Sequence, residues 1–228
     1  MKFIVIEGLD GSGKSTQVNL LKRYFEVHQL KYKFIHFPVY DSPVYGDLIA
    51  RFLRGELGHI DEVNPYLVAL LYAGDRNNFK ETIQQWLDDG YYVLADRYVY
   101  SNIAFQCAKL QDEQAVKELK QWILKTEYDS FKIPKPDANI FLEVPETFVK
   151  QQLSSVRTGE ERDYLQGKED IHEQDMSFQE RVKMIYQSLL QTEKDFSRLV
   201  CYDEQNNMLA SEIIHSRFID FLKKQAVL

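Results

Sequence analysis

The chain has 228 residues, 44% hydrophobic and 28% charged, which is enough for one large α/β domain with a lid, and its balance is that of an ordinary soluble protein. A net charge of −7 speaks against nucleic acid as the main partner, and two cysteines, Cys107 and Cys201, make neither a disulfide framework nor a metal motif. The apolar stretch 67–73 is too short for a bilayer and Gly8 and Asp10 break the N-terminal apolar run, so a cytoplasmic protein with no membrane partner is expected.

The first sixteen residues organise the rest. Phe3-Ile4-Val5-Ile6 has the character of a buried parallel strand. It leads into Gly8-Leu9-Asp10-Gly11-Ser12-Gly13-Lys14-Ser15-Thr16, a match to the phosphate-binding loop G-x-x-x-x-G-K-[ST]. Gly8, Gly11 and Gly13 are expected at positive φ, where backbone N–H groups can approach a polyphosphate. Lys14 supplies a fixed charge to the outer phosphates, the Ser15 hydroxyl a ligand for Mg²⁺, and the helix opening near Lys14 a further anion site.

Downstream, the pattern predicts a helix over 14–27, a second strand over 33–37 closed by Pro38, and a short helix over about 45–54. Asn64 is expected to cap a single helix running to about Asp89. A third strand, 91–95, delivers Asp96-Arg97-Tyr98, and a long helical stretch is expected over about 99–126. A fourth strand centres on Ile140-Phe141-Leu142, and Pro145-Glu146 opens another helix. From Ser154 to Asp175 charges crowd in, a composition that suits a disordered connection or a mobile flap equally. Helical spacing resumes at Phe178, followed by a fifth strand over 199–202 and a last helix through Leu222. Such alternation implies a five-stranded parallel sheet covered on both faces, with Gly8, Phe37, Asp96 and the end of the fourth strand on one edge.

Three clusters fall where a second substrate could sit: Phe37-Pro38-Val39-Tyr40, the one-turn pair Tyr72 and Arg76, and Asp96 through Gln106. Together with the phosphate loop, and with Lys135-Pro136-Asp137 and Asp170-Ile171-His172-Glu173 further on, these motifs make the chain similar to thymidylate kinases along nearly its whole length. The resemblance implies a P-loop kinase fold with a mobile lid, ATP and Mg²⁺ as cofactors, dTMP as acceptor and a homodimer. A phosphate oxygen is the attacking group, so positioning and charge stabilisation replace a general base.

The resemblance also implies roles for particular residues. Lys14 bridges the outer phosphates, Asp10 faces the sugar 3′-OH, Arg97 grips the monophosphate and the transferred group, and Asp96 accepts from Mg²⁺-bound water. Tyr72 stacks on thymine, Arg76 donates to a thymine carbonyl, and Asn102 reads the N3 edge. Phe105 crowds the sugar C2′, while Phe37 and Tyr40 complete the acceptor site. Val39 stands where many members carry an arginine, and Ser12 where some carry one inside the loop. One of Arg157 and Arg162 is therefore expected to close over ATP as a lid arginine, with Asp170 and Glu173 matching the lid acids of some relatives. Two other readings stay open: a deoxynucleoside kinase using Glu7 as base, and a nucleotide-binding protein without turnover.

Overall fold

The computed structural model describes residues 2–154, 160–168 and 170–228. Five strands, β1 (Phe3–Glu7), β2 (Tyr32–His36), β3 (Tyr92–Asp96), β4 (Ala138–Glu143) and β5 (Phe196–Val200), form one sheet in the order β2-β3-β1-β4-β5. Every pairing is parallel. All residues of β1 and of β4 are buried, as a strand covered on both faces requires, and this explains their near-continuous apolar character.

The helices between them are α1 (Lys14–Val27), α2 (Tyr45–Leu53), α3 (Pro65–Asn78), α4 (Lys80–Asp88), α5 (Val99–Cys107) and α6 (Glu113–Leu124). Beyond β4 come α7 (Glu146–Ser154), α8 (Ile171–Gln174), α9 (Met176–Thr192) and α10 (Ser211–Lys224). Helix α1 packs with α10, placing Val18, Leu21 and Phe25 in the core, while α5 packs against α3, α6 and α9. Burying each such aliphatic or aromatic side chain contributes roughly 1.5–3 kcal/mol. Among the described residues, no helix is long and apolar enough to cross a membrane.

Three boundaries differ from the sequence expectation. Asn64 does cap α3, its side chain accepting from the Tyr66 N–H, but the helix stops at Phe79 and α4 begins anew. The polar pair Asn77-Asn78 has weak helix propensity there, and Phe79 turns inward to pack edge-on against Phe37. The stretch 99–126 is likewise two helices, because Asp112 caps α6 by accepting from the Ala115 N–H. Helix α6 then widens into a π-turn over Lys125–Ser130, closed by the Phe131 N–H on the Thr126 carbonyl. Strand β5 begins at Phe196, earlier than expected, because Ser197 and Arg198 disguise an edge strand that buries only Phe196 and Leu199. Tyr202 instead forms an isolated bridge to Met208.

Register aligns the strand ends that matter. Ile6 and His36 both pair with Asp96, and Glu7 pairs with Phe141. Ligand crevices in such sheets lie outside these carboxyl ends, where strand order reverses about β1.

Candidate active site

The loop between β1 and α1 holds Gly11 at φ 72° and Gly13 at φ 83°, the left-handed region that favours glycine. Gly8 does not share it. Its reason is space, since a Cβ there would stand 2.5 Å from Ser12 Oγ. The N-cap residue of α1 is Gly13, which has no side chain to cap the N-terminal amides, so these suit an anion. Lys14 folds back over the loop, its Nζ donating to the Leu9 carbonyl at 2.9 Å and the Gly8 carbonyl at 3.3 Å. Burial and then the charge of Arg97 bring the Lys14 ammonium down to about 8, a cost that a bound polyphosphate would relieve.

Arg97 sits just past β3 with φ 67°, an uncommon conformation for a non-glycine residue and one that cluster at functional sites share. It donates to the Gly8 carbonyl at 3.0 Å, to Ser101 Oγ at 3.1 Å and to Asp10 Oδ1 at 2.6 Å. Burial works against the guanidinium charge, but Asp10 and other carboxylates outweigh it and raise the Arg97 pKa. Asp10 in turn is held below its usual range despite burial, through Arg97 and Lys14, and accepts from Gln179 at 2.9 Å.

Two spaces meet at this pair. A groove of about 2690 Å³ is lined by Asp10 through Thr16 with Asp96 and Arg97. A smaller pocket of about 510 Å³ lies between α3, α5 and the residues after β2. Its lining includes all the residues expected to touch the acceptor: Asp10, Phe37, Tyr40, Tyr72, Arg76, Arg97, Asn102 and Phe105. The two spaces share Asp10, Pro38, Tyr40, Arg97, Tyr164 and Glu173.

Within the pocket, Arg76 is 2% exposed and Asn102 3% exposed, and both are tied to Glu127. Burial opposes the Arg76 charge and Glu127 outweighs it, so the pKa rises. Phe105 lies under Arg97, its ring centre 5.0 Å from the guanidinium carbon. Tyr40 stacks face to face on Tyr164, with centroids 3.7 Å apart and planes 8° from parallel. Tyr164 belongs to a 3₁₀ turn over Glu160–Leu165, so the described part of the charge-rich segment closes one wall of the pocket. The Arg54 side chain donates to the Tyr164 carbonyl at 2.6 Å, anchoring that wall to the end of α2. Asp170 caps α8 through the His172 N–H and accepts from the Tyr164 hydroxyl. Burial, then Asp10 and Glu173, push the Asp170 carboxyl up to about 7. Arg157 and the side chain of Arg162 lie outside the described residues.

One oxygen of Asp96 lies 3.3 Å from His36 Nδ1, while the other is buried without a partner among the described residues. Burial would raise its pKa, but His36, then Lys14 and Arg97, hold it at about 2. Ser12 Oγ is likewise unpartnered, and Ser15 is exposed at the start of α1. No cluster of three or more metal-ligating side chains exists among the described residues. This donor set suits a cation that takes one or two protein oxygens and completes its shell with phosphates and water.

Several contributors carried little sequence signal. Gln106, one turn beyond Asn102, is 1% exposed, lines the pocket, and has neither amide atom partnered among the described residues. His172 also lines it, kept neutral because burial drives its pKa well below the usual value. Glu7 lies elsewhere than expected of a base. It is fully buried beneath the site, accepting from the Tyr98 N–H at 2.9 Å, the Ser101 N–H at 3.1 Å, Ser101 Oγ and the Tyr186 hydroxyl.

Comparison with known proteins adds a separate finding. The family model described as thymidylate kinase matches residues 6–210. The thymidylate kinase of Mycobacterium tuberculosis is 34% identical over 187 residues, covering 82% of this chain and 84% of its own. A probable thymidylate kinase of Pyrococcus horikoshii is 32% identical over 226 residues, covering 98% and 96%. In three dimensions, the chain is similar to the solved thymidylate kinase of Candida albicans, with a TM-score of 0.72, 24% identity, and coverage of 99% and 92%.

Proposed function

The chain belongs to the thymidylate kinase family, and we propose that it transfers the γ-phosphoryl group of ATP to dTMP, with Mg²⁺, giving dTDP. The observation that carries this reading is the meeting of two spaces at Arg97 and Asp10: a phosphate-loop groove on one side and the pocket lined by Tyr72, Arg76 and Asn102 on the other. Phosphoryl transfer needs donor and acceptor phosphates in line with charge placed between them. Arg97 stands between the two spaces as a planar donor, and Lys14 with the amides of α1 serves the donor side.

Ser15 and the free oxygen of Asp96 are the groups that would hold Mg²⁺, which supplies charge neutralisation on the transferring phosphates when bound. Tyr72, Arg76, Asn102, Phe105, Phe37 and Tyr40 bind and orient the nucleoside, and Asp10 lies where a sugar hydroxyl meets the loop. Arg157 and Arg162 are the candidates for a lid cation on the transferred group, in a segment that is one unit with the rest of a single domain. A cytoplasmic homodimer acting on small molecules completes the reading.

The deoxynucleoside kinase alternative loses its base, because Glu7 is consumed by two backbone amides and two hydroxyls and lines neither space. A coupled ADP-release assay offering dTMP, dUMP, UMP, CMP and thymidine tests the reading. Turnover with dTMP, abolished by Lys14→Ala, is the expected result; turnover with thymidine in its place, or with no acceptor, overturns it.

A further inference from the structure

Glu127 is 0% exposed and lies on the π-turn that ends α6, outside every motif of the sequence. Its carboxylate accepts from Arg76 Nε at 2.5 Å and Arg76 Nη2 at 2.6 Å, and Oε1 accepts also from Asn102 Nδ2 at 3.0 Å. Asn102 Nδ2 spends its other proton on the Ala69 carbonyl at 3.0 Å. Both neighbours of that nitrogen are acceptors, so the amide cannot turn over without facing oxygen against oxygen. Asn102 Oδ1 is thereby committed to the pocket side, buried and without a partner among the described residues. The same carboxylate occupies two of the three nitrogens of Arg76 and leaves Nη1 outside the pair.

We infer that Glu127 is the positioning residue for base selection: by fixing Arg76 and Asn102 together it leaves one donor and one acceptor, which fit a pyrimidine carrying a ring N–H beside a carbonyl and refuse one carrying a ring nitrogen beside an amino group. The inference rests on the reading of the small pocket as a nucleoside site. A 4-aminopyrimidine would set an acceptor against Asn102 Oδ1 and a donor against the guanidinium, mismatched at both atoms. Glu127 continues the buried face of Leu119 and Ile123 into the π-turn, and such turns are common at functional sites. Arg76 and Asn102 come from α3 and α5, so a residue from a third element sets their mutual geometry.

The test compares kcat and KM for dTMP and dCMP in the full chain and in Glu127→Gln, with circular dichroism and melting to verify folding. The glutamine amide places a donor against the donors of Arg76 and Asn102 and frees the latter to turn. KM for dTMP should rise at least about tenfold with kcat within about threefold, and the preference for dTMP over dCMP should fall by at least about tenfold. Should that variant fail to fold, Glu127→Asp keeps Arg76 and the buried ion pair but draws the carboxylate back by one methylene. It should lose discrimination while keeping its fold. Calorimetric binding of dTMP gives a readout independent of turnover. Discrimination unchanged in a folded variant overturns the inference. Absence of thymidylate turnover by the unmodified enzyme would instead strike the functional reading itself.

Discussion

Arg97 and Asp10 form an ion pair of 2.6 Å that ties the end of β3 to the phosphate loop of β1. Because Arg97 also reaches the Gly8 carbonyl, one side chain spans the seam between the groove and the pocket, and its planar fork is what allows this. Arg97→Lys keeps the charge and loses the fork. In steady-state assays kcat should fall on the order of 10²–10³-fold, with KM for ATP changed only a few fold. A kcat loss below about tenfold would remove Arg97 from the transferred phosphate.

Glu7 supports that geometry from beneath, by accepting from the first amides around α5 across 91 residues of sequence for Tyr98 and 94 for Ser101. Glu7→Ala strands two buried amides and should lower stability by about 2–4 kcal/mol in urea denaturation, with a matching drop in kcat. Glu7→Gln retains an acceptor for the amides and should stay within about 1 kcal/mol of the parent. Equal destabilisation by both variants would show that the charge, and not the capping, matters.

Asp170 gives the site a pH signature. Its carboxyl is raised from 3.8 to about 7, so the folded protein binds a proton that the unfolded chain has released. Between those values stability therefore falls as pH rises, and the whole penalty is present above about 7. Asp170→Asn keeps a good helix cap and removes the penalty. Its stability advantage over the parent should be small near pH 4 and reach a few kcal/mol by pH 8, on the order set by the raised pKa. Melting both proteins across this range checks it, and a gap that does not vary with pH would remove Asp170 as its source.

Arg157→Ala and Arg162→Ala probe the charge expected over the donor phosphate. At least one should lower kcat by roughly tenfold or more while leaving KM for dTMP within a few fold. Unchanged kcat in both would sink the proposal that either closes over ATP.

Much of this arrangement was legible in the chain. The phosphate loop and the Asp96-Arg97 step announce themselves because backbone geometry demands particular residues at fixed spacing. Tyr72, Arg76 and Asn102 gained meaning only together, through resemblance to a family. Glu127 could not be found this way: helical spacing sets it on the face of the buried Leu119 and Ile123, and a carboxylate there acquires meaning only from its partners Arg76 and Asn102. Gln106 stood one turn from Asn102 but resembled any helix amide, since orphaned hydrogen-bonding capacity is a property of surroundings. Phe79 and Asp112 misled in the opposite sense, where tertiary packing and a local cap overrode continuous periodicity.

The central place of β1 also bears on synthesis. Phe3 pairs with Val93 and Ile4 with Ala138, so the most apolar strand leaves the ribosome long before either neighbour exists. At ~5–20 residues per second this strand waits roughly 5–20 s before β3 exists to pair with it. The β1 segment is then the nascent chain's principal liability for aggregation, and the natural target for a chaperone acting during translation.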